Sequence, residues 1–333
     1  MHETWQAFLE QEGATIQDNG VIDFTLSDIN LSKTAIAAPL SGFAMLAVGG
    51  NDRHAFLHGQ FINDLNLIEE PAAQITAWCN AKGQLITNFL IINTGIAYLL
   101  IFKEDLKVFV QKRLGMFVMR SDVTIKDISD SSPLVGLVNC NDIAPLNQNF
   151  PTNTGAVNAA DGLIFICHPD GSGRQLITGS IEALKKNVSN FKSSLIMTGS
   201  HIWDLLDIRA GLPWISSLTQ EQYLPQMLNL DALKGLSYQK GCYPGQEVIA
   251  RLHYRGEVKK RVCLIQSEMP LSIGEQLISE SSNSKVGTII NSATHPDGLC
   301  YALAVVALDK LNDKLIIENQ EIKIIELPYA IES

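Results

Sequence analysis

The sequence predicts an α+β protein that ends in a small β-barrel or β-sandwich. Strand-like and helix-like periodicities alternate with hairpins through residues 33–258, which favours α+β layers over a strictly parallel sheet. After Lys259 the pattern changes to short strand-like runs separated by turns such as the one at residues 295–298. Hydrophobic residues make up 46% of the 333 residues and charged residues 18%, a composition that can bury a large core.

The order of the elements follows from apolar spacing and from turn residues. Residues 1–32 contain six acids and no Lys or Arg, and we interpret them as a loosely held lead-in. Leu57, Phe61 and Leu65 recur every four residues, which predicts the core stripe of a helix. We expect strands at residues 43–48, 75–79, 85–92, 96–102, 123–128, 134–138, 163–167 and 174–178, and helices at 104–118, 181–191, 201–210 and 246–254.

Four regions are predicted along the chain. The lead-in is followed by a first α+β lobe at residues 33–138, a second at 139–258 and the C-terminal β domain at 259–333, and the two lobes can be interleaved in sequence. Residues 139–161 are rich in Asn, Pro and Gly and are the best candidate linker.

Charge and cysteine usage exclude several classes of protein. The formal net charge of −10 argues against general nucleic-acid binding unless basic groups are concentrated locally. The longest apolar stretch, residues 89–102, is interrupted at 93–95 and is too short to span a bilayer. Glu3, Glu10 and Glu12 stand where a secretory signal would carry Lys or Arg. The six cysteines form no C-x-x-C pair, so we expect a cytoplasmic protein with reduced thiols.

The densest cluster of special residues is Lys240-Gly241-Cys242-Tyr243-Pro244-Gly245-Gln246-Glu247. Pro244 and Gly245 fit the two central positions of a tight turn, and a helix is predicted from Gln246 onward. Cys242 then precedes a helix N-terminus and is two residues from Lys240, and both the helix dipole and an ammonium stabilise a thiolate. The sequence thus predicts a reactive Cys242. The alternative is a structural turn with a small, inert, buried cysteine.

Residues 240–247 match the signature K-G-C-[FYW]-x-G-Q-[DE], and on this octapeptide the chain is identified as a member of the YgfZ family. Further matches follow in order at residues 58–64, 81–83, 207–213 and 224–226, so the resemblance spans most of the chain. This family resembles the aminomethyltransferase (T-protein) of the glycine cleavage system. The resemblance implies a three-domain, ring-like arrangement around a folate-binding channel, with a C-terminal antiparallel β-barrel.

Bacterial members of the family are linked to tRNA modification and to the assembly or repair of iron–sulfur enzymes, including those that methylthiolate tRNA. The resemblance therefore implies a tetrahydrofolate-binding protein in which Cys242 is the key thiol beside the folate channel. Its expected partners are iron–sulfur tRNA-modifying enzymes or cluster-assembly proteins. Trp203 and Phe43 align with aromatic positions that the family places against folate, and we assign further folate contacts to Tyr243, Gln246, Glu247 and Arg251. For Trp203 the alternative is core packing, since Leu206 and Ala210 lie on the same helical stripe.

One departure separates this chain from the aminomethyltransferases. Those enzymes carry an Asp pair in the strand that corresponds to residues 85–92, where one carboxylate handles protons during one-carbon transfer. Here the matching residues are Thr87 and Asn88. Because an amide cannot act as a general acid or base near neutral pH, the sequence favours an accessory factor with a reactive thiol. An aminomethyltransferase-like folate enzyme stays an alternative.

A basic segment follows the motif and comprises Arg251, Arg255, Lys259, Lys260 and Arg261, with His253 and Tyr254 between them. This local excess of positive charge can meet tRNA phosphate, an acidic partner or the folate tail, and a tRNA-binding module is a further alternative. The simpler interpretation is a solvated face at a helix end. His54 and His58 have a spacing that could hold a metal, but no third ligand is evident, and we predict no metal site.

Overall fold

A computed structural model of the chain describes residues 1–17, 20–24, 29–68, 70–143, 146–191 and 194–331. Two acids of the predicted lead-in, Asp18 and Asp28, lie outside the described residues, as do Ala144 and Pro145 of the predicted linker. Within the described part, no helix has both the length and the apolar character needed to cross a membrane.

Helices and strands are interleaved along the chain, as the sequence predicts. The α-helices are α1 (Glu3–Gln11), α2 (Arg53–Gln60), α3 (Lys107–Gly115), α4 (Ile181–Phe191), α5 (Ser200–Arg209) and α6 (Gln246–Arg255). The strands of the first two thirds are β1 (Ala14–Ile16), β2 (Ile22–Phe24), β3 (Ile36–Pro39), β4 (Phe43–Gly49), β5 (Ala72–Cys79), β6 (Leu85–Asn93), β7 (Tyr98–Lys103), β8 (Thr124–Asp127), β9 (Leu134–Val138), β10 (Val157–Ala160), β11 (Leu163–Cys167), β12 (Gln175–Gly179) and β13 (Ile196–Met197). The last third contains β14 (Lys260–Ser267), β15 (Gln276–Ser279), β16 (Ser284–Thr294), β17 (Cys300–Ala307), β18 (Leu315–Ile317) and β19 (Gln320–Ile325).

The strands of the described residues form four sheets. A six-stranded sheet has the order β10-β11-β12-β9-β3-β13, in which only β13 pairs in parallel. A five-stranded sheet has the order β5-β6-β7-β4-β8, and β1 and β2 form a small hairpin of their own. The fourth sheet, β14-β17-β16-β15-β18-β19, is a closed barrel, so the predicted C-terminal antiparallel β-barrel is confirmed.

The chain consists of two compact units, each assembled from separated segments. Unit 1 comprises Met1–Phe56, Asn66–Gln74 and Leu90–Trp203. Unit 2 comprises Leu57–Leu65, Ile75–Phe89 and Asp204–Ser333. The barrel of unit 2 has its own apolar interior, which includes Ile265, Leu277, Ile289, Ala302 and Val306.

The helix that begins the acidic lead-in is packed into a core, which corrects the prediction that this part of the chain is loosely held. Trp5, Phe8 and Leu9 of α1 are at most 5% exposed and pack into the same core as Val135 and Phe165 of the six-stranded sheet. Residues 5, 8 and 9 have the spacing of one helical face, whereas the acids of α1 lie on the exposed side. The prediction was wrong because it relied on the number of acids and did not consider the spacing of these apolar residues.

The segment 139–161, predicted to be a linker, is part of unit 1. Cys140 and Phe150 are buried in its core, and β10 forms the edge of the six-stranded sheet by pairing with β11. Asn, Pro and Gly here supply turns between short elements rather than a connection between lobes.

Candidate functional site

The turn predicted within the motif is present and leads directly into α6. The amide of Gln246 donates to the carbonyl of Tyr243 at 3.3 Å, which closes a four-residue turn around Pro244 and Gly245. Gly245 has φ +83°, and a Cβ atom at this position would lie 2.6 Å from both the carbonyl oxygen of Asn80 and the Cα of Gly83. Only glycine satisfies the backbone conformation and the close approach together.

Lys240 connects the motif to the end of α2. Its side chain is buried, and its ammonium donates to the main-chain carbonyls of His58 and Phe61. The ammonium also lies 5.1 Å from the centre of the Tyr243 ring. Burial lowers the pKa of Lys240 to about 8, so the group is still mostly protonated at pH 7. Lys240 therefore positions this segment, and its predicted effect on the thiol of Cys242 stays a prediction.

Three of the four segments that accompany the motif in the sequence contact the motif or α6 within unit 2. These are residues 58–64, 81–83 and 224–226. Residues 58–64 accept the hydrogen bonds of Lys240, and Gly83 of residues 81–83 lies against Gly245. From residues 224–226, the buried Gln226 amide donates to the carbonyl of Ile249 in α6 at 2.9 Å. Segments that are far apart in sequence thus support one short stretch of backbone.

Cys242 differs from the five other cysteines in its exposure. All six are free thiols within the described residues, and Cys242 alone is exposed. Burial raises the pKa of each of the others, which disfavours their thiolate forms: Cys79, Cys140, Cys167, Cys263 and Cys300. The prediction that these five are core residues is confirmed. The alternative that Cys242 is buried is wrong, and its reactivity stays a prediction.

The other predicted contacts within the motif divide into supporting and exposed side chains. Tyr243 is 7% exposed, and Gln246 donates from its amide to the carbonyl of Lys240 at 3.3 Å, so both brace the segment from within. Burial raises the pKa of the Tyr243 hydroxyl. Glu247 and Arg251 are exposed on α6. Their assignment to folate binding stays a prediction.

Phe43 lines a cavity of about 350 Å³ in unit 1. Trp5 and Met45 contribute apolar walls, and the ammonium of Lys103 lies 4.1 Å from the centre of the Phe43 ring. Charged groups also line the cavity, namely Glu104, Lys107, Asp130 and the terminal residue Met1, whose amino group lies 3.3 Å from a carboxylate oxygen of Asp130. The cavity thus combines an aromatic wall with both signs of charge, a combination suited to a ring system that carries polar groups.

Trp203 has the contacts of a core residue. It is 2% exposed and does not line the cavity that contains Phe43. The guanidinium of Arg174 lies 4.4 Å from its ring centre, and the His168 ring meets it edge-on at 5.7 Å. Gly136 is required beneath the indole, since a Cβ there would lie 2.2 Å from a ring carbon. The contact of Trp203 with folate stays a prediction.

Asn88 has a structural role in unit 2. Both Thr87 and Asn88 are fully buried. The Asn88 amide donates to the carbonyl of Pro213 at 2.8 Å, and its oxygen accepts from the amide of Ile215 at 2.9 Å. Both polar atoms are therefore occupied in holding the segment after α5, where a carboxylate could not donate.

The basic segment is less basic than its sequence indicates, because Arg261 is not available at the surface. Arg261 is 8% exposed and makes a two-point ion pair with Asp231 at 3.0 and 2.9 Å, and it also donates to the carbonyl of Gln226. This corrects its assignment to a tRNA-binding face. The reason is strand alternation in β14, which turns Lys260 outward and Arg261 inward. The four remaining cations, Arg251, Arg255, Lys259 and Lys260, are exposed.

An aromatic stack next to these cations was not predicted from the sequence. The rings of Tyr238 and His253 stack at 3.7 Å with an interplanar angle of 8°, and Tyr254 meets the His253 ring edge-on at 4.6 Å. Tyr254 is 66% exposed and lies three residues after Arg251, so the two share the outward face of α6. Tyr238 lies before the motif and α6 begins near the end of it, so no regular spacing in the sequence predicts this stack.

The two histidines considered as metal ligands have other partners. The ring nitrogens of His54 lie 2.7 Å from the Tyr98 hydroxyl and 2.9 Å from the side-chain oxygen of Asn66. His58 lies 3.6 Å from a carboxylate oxygen of Asp64. Among the residues that the structure describes, no group of three or more His, Cys, Asp or Glu side chains could hold a metal ion.

Comparisons with known proteins agree with the motif. No family model matches the chain. The tRNA-modifying protein YgfZ of Colwellia psychrerythraea is 29% identical over 301 residues, which cover 88% of this chain and 92% of that protein. The protein of the same name from Photobacterium profundum is 27% identical over 323 residues, covering 91% and 97%. The crystal structure of the glycine cleavage system aminomethyltransferase T from Bartonella henselae matches with a TM-score of 0.75 and 13% identity over 98% of this chain and 97% of that one, and shows the fold alone.

Proposed function

We propose that this chain, a homologue of the YgfZ proteins with the fold of aminomethyltransferase T, is a cytoplasmic tetrahydrofolate-binding factor that supports tRNA methylthiolation. It would do so by maintaining or assembling the iron–sulfur enzymes that carry out this modification, with Cys242 as its reactive group. The observation that carries the proposal is the exposure of this single thiol on a backbone segment held by Lys240 and Gly245.

The exposed thiol suits chemistry with another molecule. A thiol must be accessible and able to ionise before it acts as a nucleophile or a ligand, and burial disfavours both in the five other cysteines. The turn at Pro244-Gly245 and the buried Lys240 hold the backbone on both sides of Cys242. An accessible thiol on a held backbone can meet a partner's cysteine or a cluster without first being uncovered.

The cavity of unit 1 supports the folate part of the proposal. At about 350 Å³ it falls within the size range of small-molecule sites. Phe43 offers a ring face to a pterin, whereas the carboxylates of Glu104 and Asp130 can accept from its amino and ring N–H groups. Lys107 supplies a cation for the glutamate tail, although it also pairs with Glu104 at 3.1 Å and Asp127 at 3.4 Å.

Intrinsic tryptophan fluorescence tests where folate binds. Trp5 lines the cavity and Trp203 does not, so two variants separate the two predicted folate contacts. If tetrahydrofolate occupies the cavity, quenching of fluorescence is lost in Trp5→Phe, kept in Trp203→Phe and weakened in Phe43→Ala. Quenching that disappears only in Trp203→Phe would move the folate site to Trp203. No binding by the wild type would refute the folate proposal.

The thiol part of the proposal is tested in cells. Cys242→Ala should abolish the effect of the protein on 2-methylthio tRNA levels while the purified variant unfolds at the wild-type temperature. Cys263→Ala is the matched control, since it removes a buried sulfur and should reduce stability but not thiolation at permissive temperature. Unchanged tRNA thiolation in Cys242→Ala would retire the thiol proposal.

An aminomethyltransferase-like activity is the alternative within the enzyme class. Turnover of tetrahydrofolate with a one-carbon donor needs a proton-transfer group, and the amide of Asn88 is occupied by Pro213 and Ile215. We therefore expect no turnover by the pure protein. Observed turnover would favour the enzyme.

A second candidate function is tRNA binding by α6 and the residues after it. Four exposed cations and the exposed ring of Tyr254 together offer partners for phosphate and for an unstacked base. If tRNA binds here, the double variant Arg255→Gln/Lys260→Gln lowers the affinity and flattens its salt dependence. The matched double variant Lys285→Gln/Lys323→Gln, on exposed residues of the barrel, should change neither. Equal effects of both pairs would argue against a specific face.

A further inference from the structure

Helix α3 carries apolar side chains on two opposite faces. Val110 and Leu114 are fully buried and attach the helix to unit 1. On the opposite side Val108 is 75% exposed and Met116, just after the helix, is 71% exposed, with the exposed Lys112 between them. An amphipathic surface helix normally needs only one apolar face, so the second face has no function within the fold.

The turn that follows the helix extends this exposed apolar surface. Fourteen large apolar side chains are exposed in the described part of the chain, and five of them fall within residues 108–119. We call these five the α3 patch: Val108, Phe109, Met116, Phe117 and Met119. Single exposed apolar residues are ordinary on protein surfaces, but a cluster of this kind marks a contact site.

Met119 is held in a conformation that its side chain disfavours. Its φ of +46° lies in the left-handed region, and its side chain is 88% exposed. Nine non-glycine residues of the described chain have positive φ, and the eight others are Asn, Asp, Glu or Lys. A methionine in this conformation costs about 1 kcal/mol, and no burial offsets that cost in the free protein. The backbone thus presents this side chain to solvent.

Cations lie among the residues of the α3 patch. Residues 108–121 contain three basic residues, Lys112, Arg113 and Arg120, and no acid, in a chain whose net charge is −10, whereas exposed acids precede this stretch at Glu104 and Asp105 and follow it at Asp122. Lys112 and Arg120 are exposed, and the guanidinium of Arg113 lies 5.4 Å from the centre of the Phe109 ring. The patch therefore combines apolar side chains with interspersed cations, which is complementary to an apolar surface that carries carboxylates.

We propose that the α3 patch docks a partner protein that presents apolar side chains among Asp and Glu residues. If the same patch met itself in a second copy of this chain, a two-fold axis through its middle would bring Lys112 against Lys112. An anionic membrane would attract the edge of the patch but repel the acidic remainder of the chain. Two of the five side chains are methionines, which adapt to the shape of a protein partner. The partner is thus an acidic protein, and it binds at a site that includes neither Cys242 nor α6.

Site-specific photocrosslinking identifies the partner, and purified proteins then test the contact. Benzoylphenylalanine replaces Met116 in cells, with Ile96 as the control position because it is an 86% exposed apolar residue elsewhere in unit 1. We expect a protein adduct at position 116 and none at 96. The adduct protein is then purified and titrated against Met119→Asn, Lys112→Glu and Ile96→Asn.

Met119→Asn removes the apolar side chain but keeps a residue that accepts positive φ, so the variant should unfold at or above the wild-type temperature. The proposal expects its affinity for the partner to fall at least tenfold, Lys112→Glu to act similarly with a weaker salt dependence, and Ile96→Asn to bind as the wild type does. Cys242→Ala should also bind normally, which separates this result from a failure of the thiol proposal.

Three results would overturn the proposal. The first is a failure to find the contact, seen either as the lack of an adduct specific to position 116 or as undiminished binding by Met119→Asn. The second is a wild-type dimer in light scattering that Met119→Asn dissociates, because the occupant would then be a second copy. The third is sedimentation with vesicles of phosphatidylcholine and phosphatidylglycerol that Met119→Asn abolishes, which would identify a membrane surface.

Discussion

The ammonium of Lys240 donates to the main-chain carbonyl of Phe61, a residue 179 positions earlier in the chain. The same ammonium donates to the carbonyl of His58 in α2. Helix ends leave carbonyls without partners inside the helix, and here one buried side chain satisfies two such groups. The residue that precedes the exposed thiol by two positions is therefore an anchor for its backbone.

Replacing Lys240 with Met should destabilise unit 2. The variant keeps most of the apolar stem but leaves the carbonyls of His58 and Phe61 without their donor, at a cost of about 1–3 kcal/mol. Urea unfolding of Lys240→Met and of Lys285→Met, an exposed control, measures the difference. Equal midpoints for the two variants would show that the anchor contributes nothing to stability.

Two glycines of the motif should respond differently to alanine. Gly245→Ala forces a Cβ into the carbonyl of Asn80 and strains a positive φ, so we expect a loss of about 2 kcal/mol or more in the free energy of unfolding. Gly241 has no positive φ and no heavy atom within 4 Å of the site where a Cβ would lie, and Gly241→Ala should be neutral. Thermal unfolding of both variants checks the contrast. A larger loss in Gly241→Ala would contradict the geometry of the turn.

Asn88→Asp tests whether a carboxylate could function at this buried position. An ionised carboxylate here cannot donate to the carbonyl of Pro213, so the variant should be less stable than the wild type at pH 7 by about 2 kcal/mol. Burial would raise the pKa of the new carboxyl above its unfolded value, so its protonated form is favoured in the folded state. The deficit relative to wild type should therefore shrink as the pH falls from 7 to 5, and a deficit independent of pH would contradict this.

The buried pair of Asp170 and Arg174 predicts the response of unit 1 to acid. Burial alone raises the pKa of Asp170, but His168 and Arg174 outweigh burial and hold this pKa well below its usual range. A lowered folded pKa means that the carboxylate stabilises the fold fully above about pH 5 and progressively less below the ordinary aspartate pKa of about 3.9. Asp170→Asn should therefore lose stability at pH 7 and show a flatter decline between pH 5 and 3. Parallel acid titrations of both proteins, followed by circular dichroism, would refute the assignment.

Local patterns were predictable from the sequence, whereas the side that a residue faces often was not. The apolar spacing of Leu57, Phe61 and Leu65 predicts their burial, and Pro244-Gly245 predicts the turn before α6, because both depend only on near neighbours. Arg261 is buried although the sequence places it in a basic segment, because charge alone does not indicate which face of a strand a residue occupies.

Sequence patterns do not predict contacts between segments that are far apart in the chain. Lys240 is two residues from Cys242 in sequence, which favours a role in ionising the thiol. In the structure its ammonium donates to the carbonyls of His58 and Phe61. The stack of Tyr238 on His253 joins residues on either side of the motif without any regular spacing. The prediction for the lead-in fails for another reason: it rests on the acids of residues 1–32, whereas Trp5, Phe8 and Leu9 form a short apolar stripe that packs into the core.

The separation of 179 positions between Phe61 and Lys240 also imposes a delay during synthesis. A ribosome adds about 5–20 residues per second, so the nascent chain displays the end of α2 for roughly 10–35 s before the lysine that satisfies it emerges. Unit 2 therefore forms only late in translation, although some of its segments are made early. Until then those carbonyls depend on water for their hydrogen bonds, and we expect shortened chains that end before residue 240 to be more sensitive to proteolysis than the full chain.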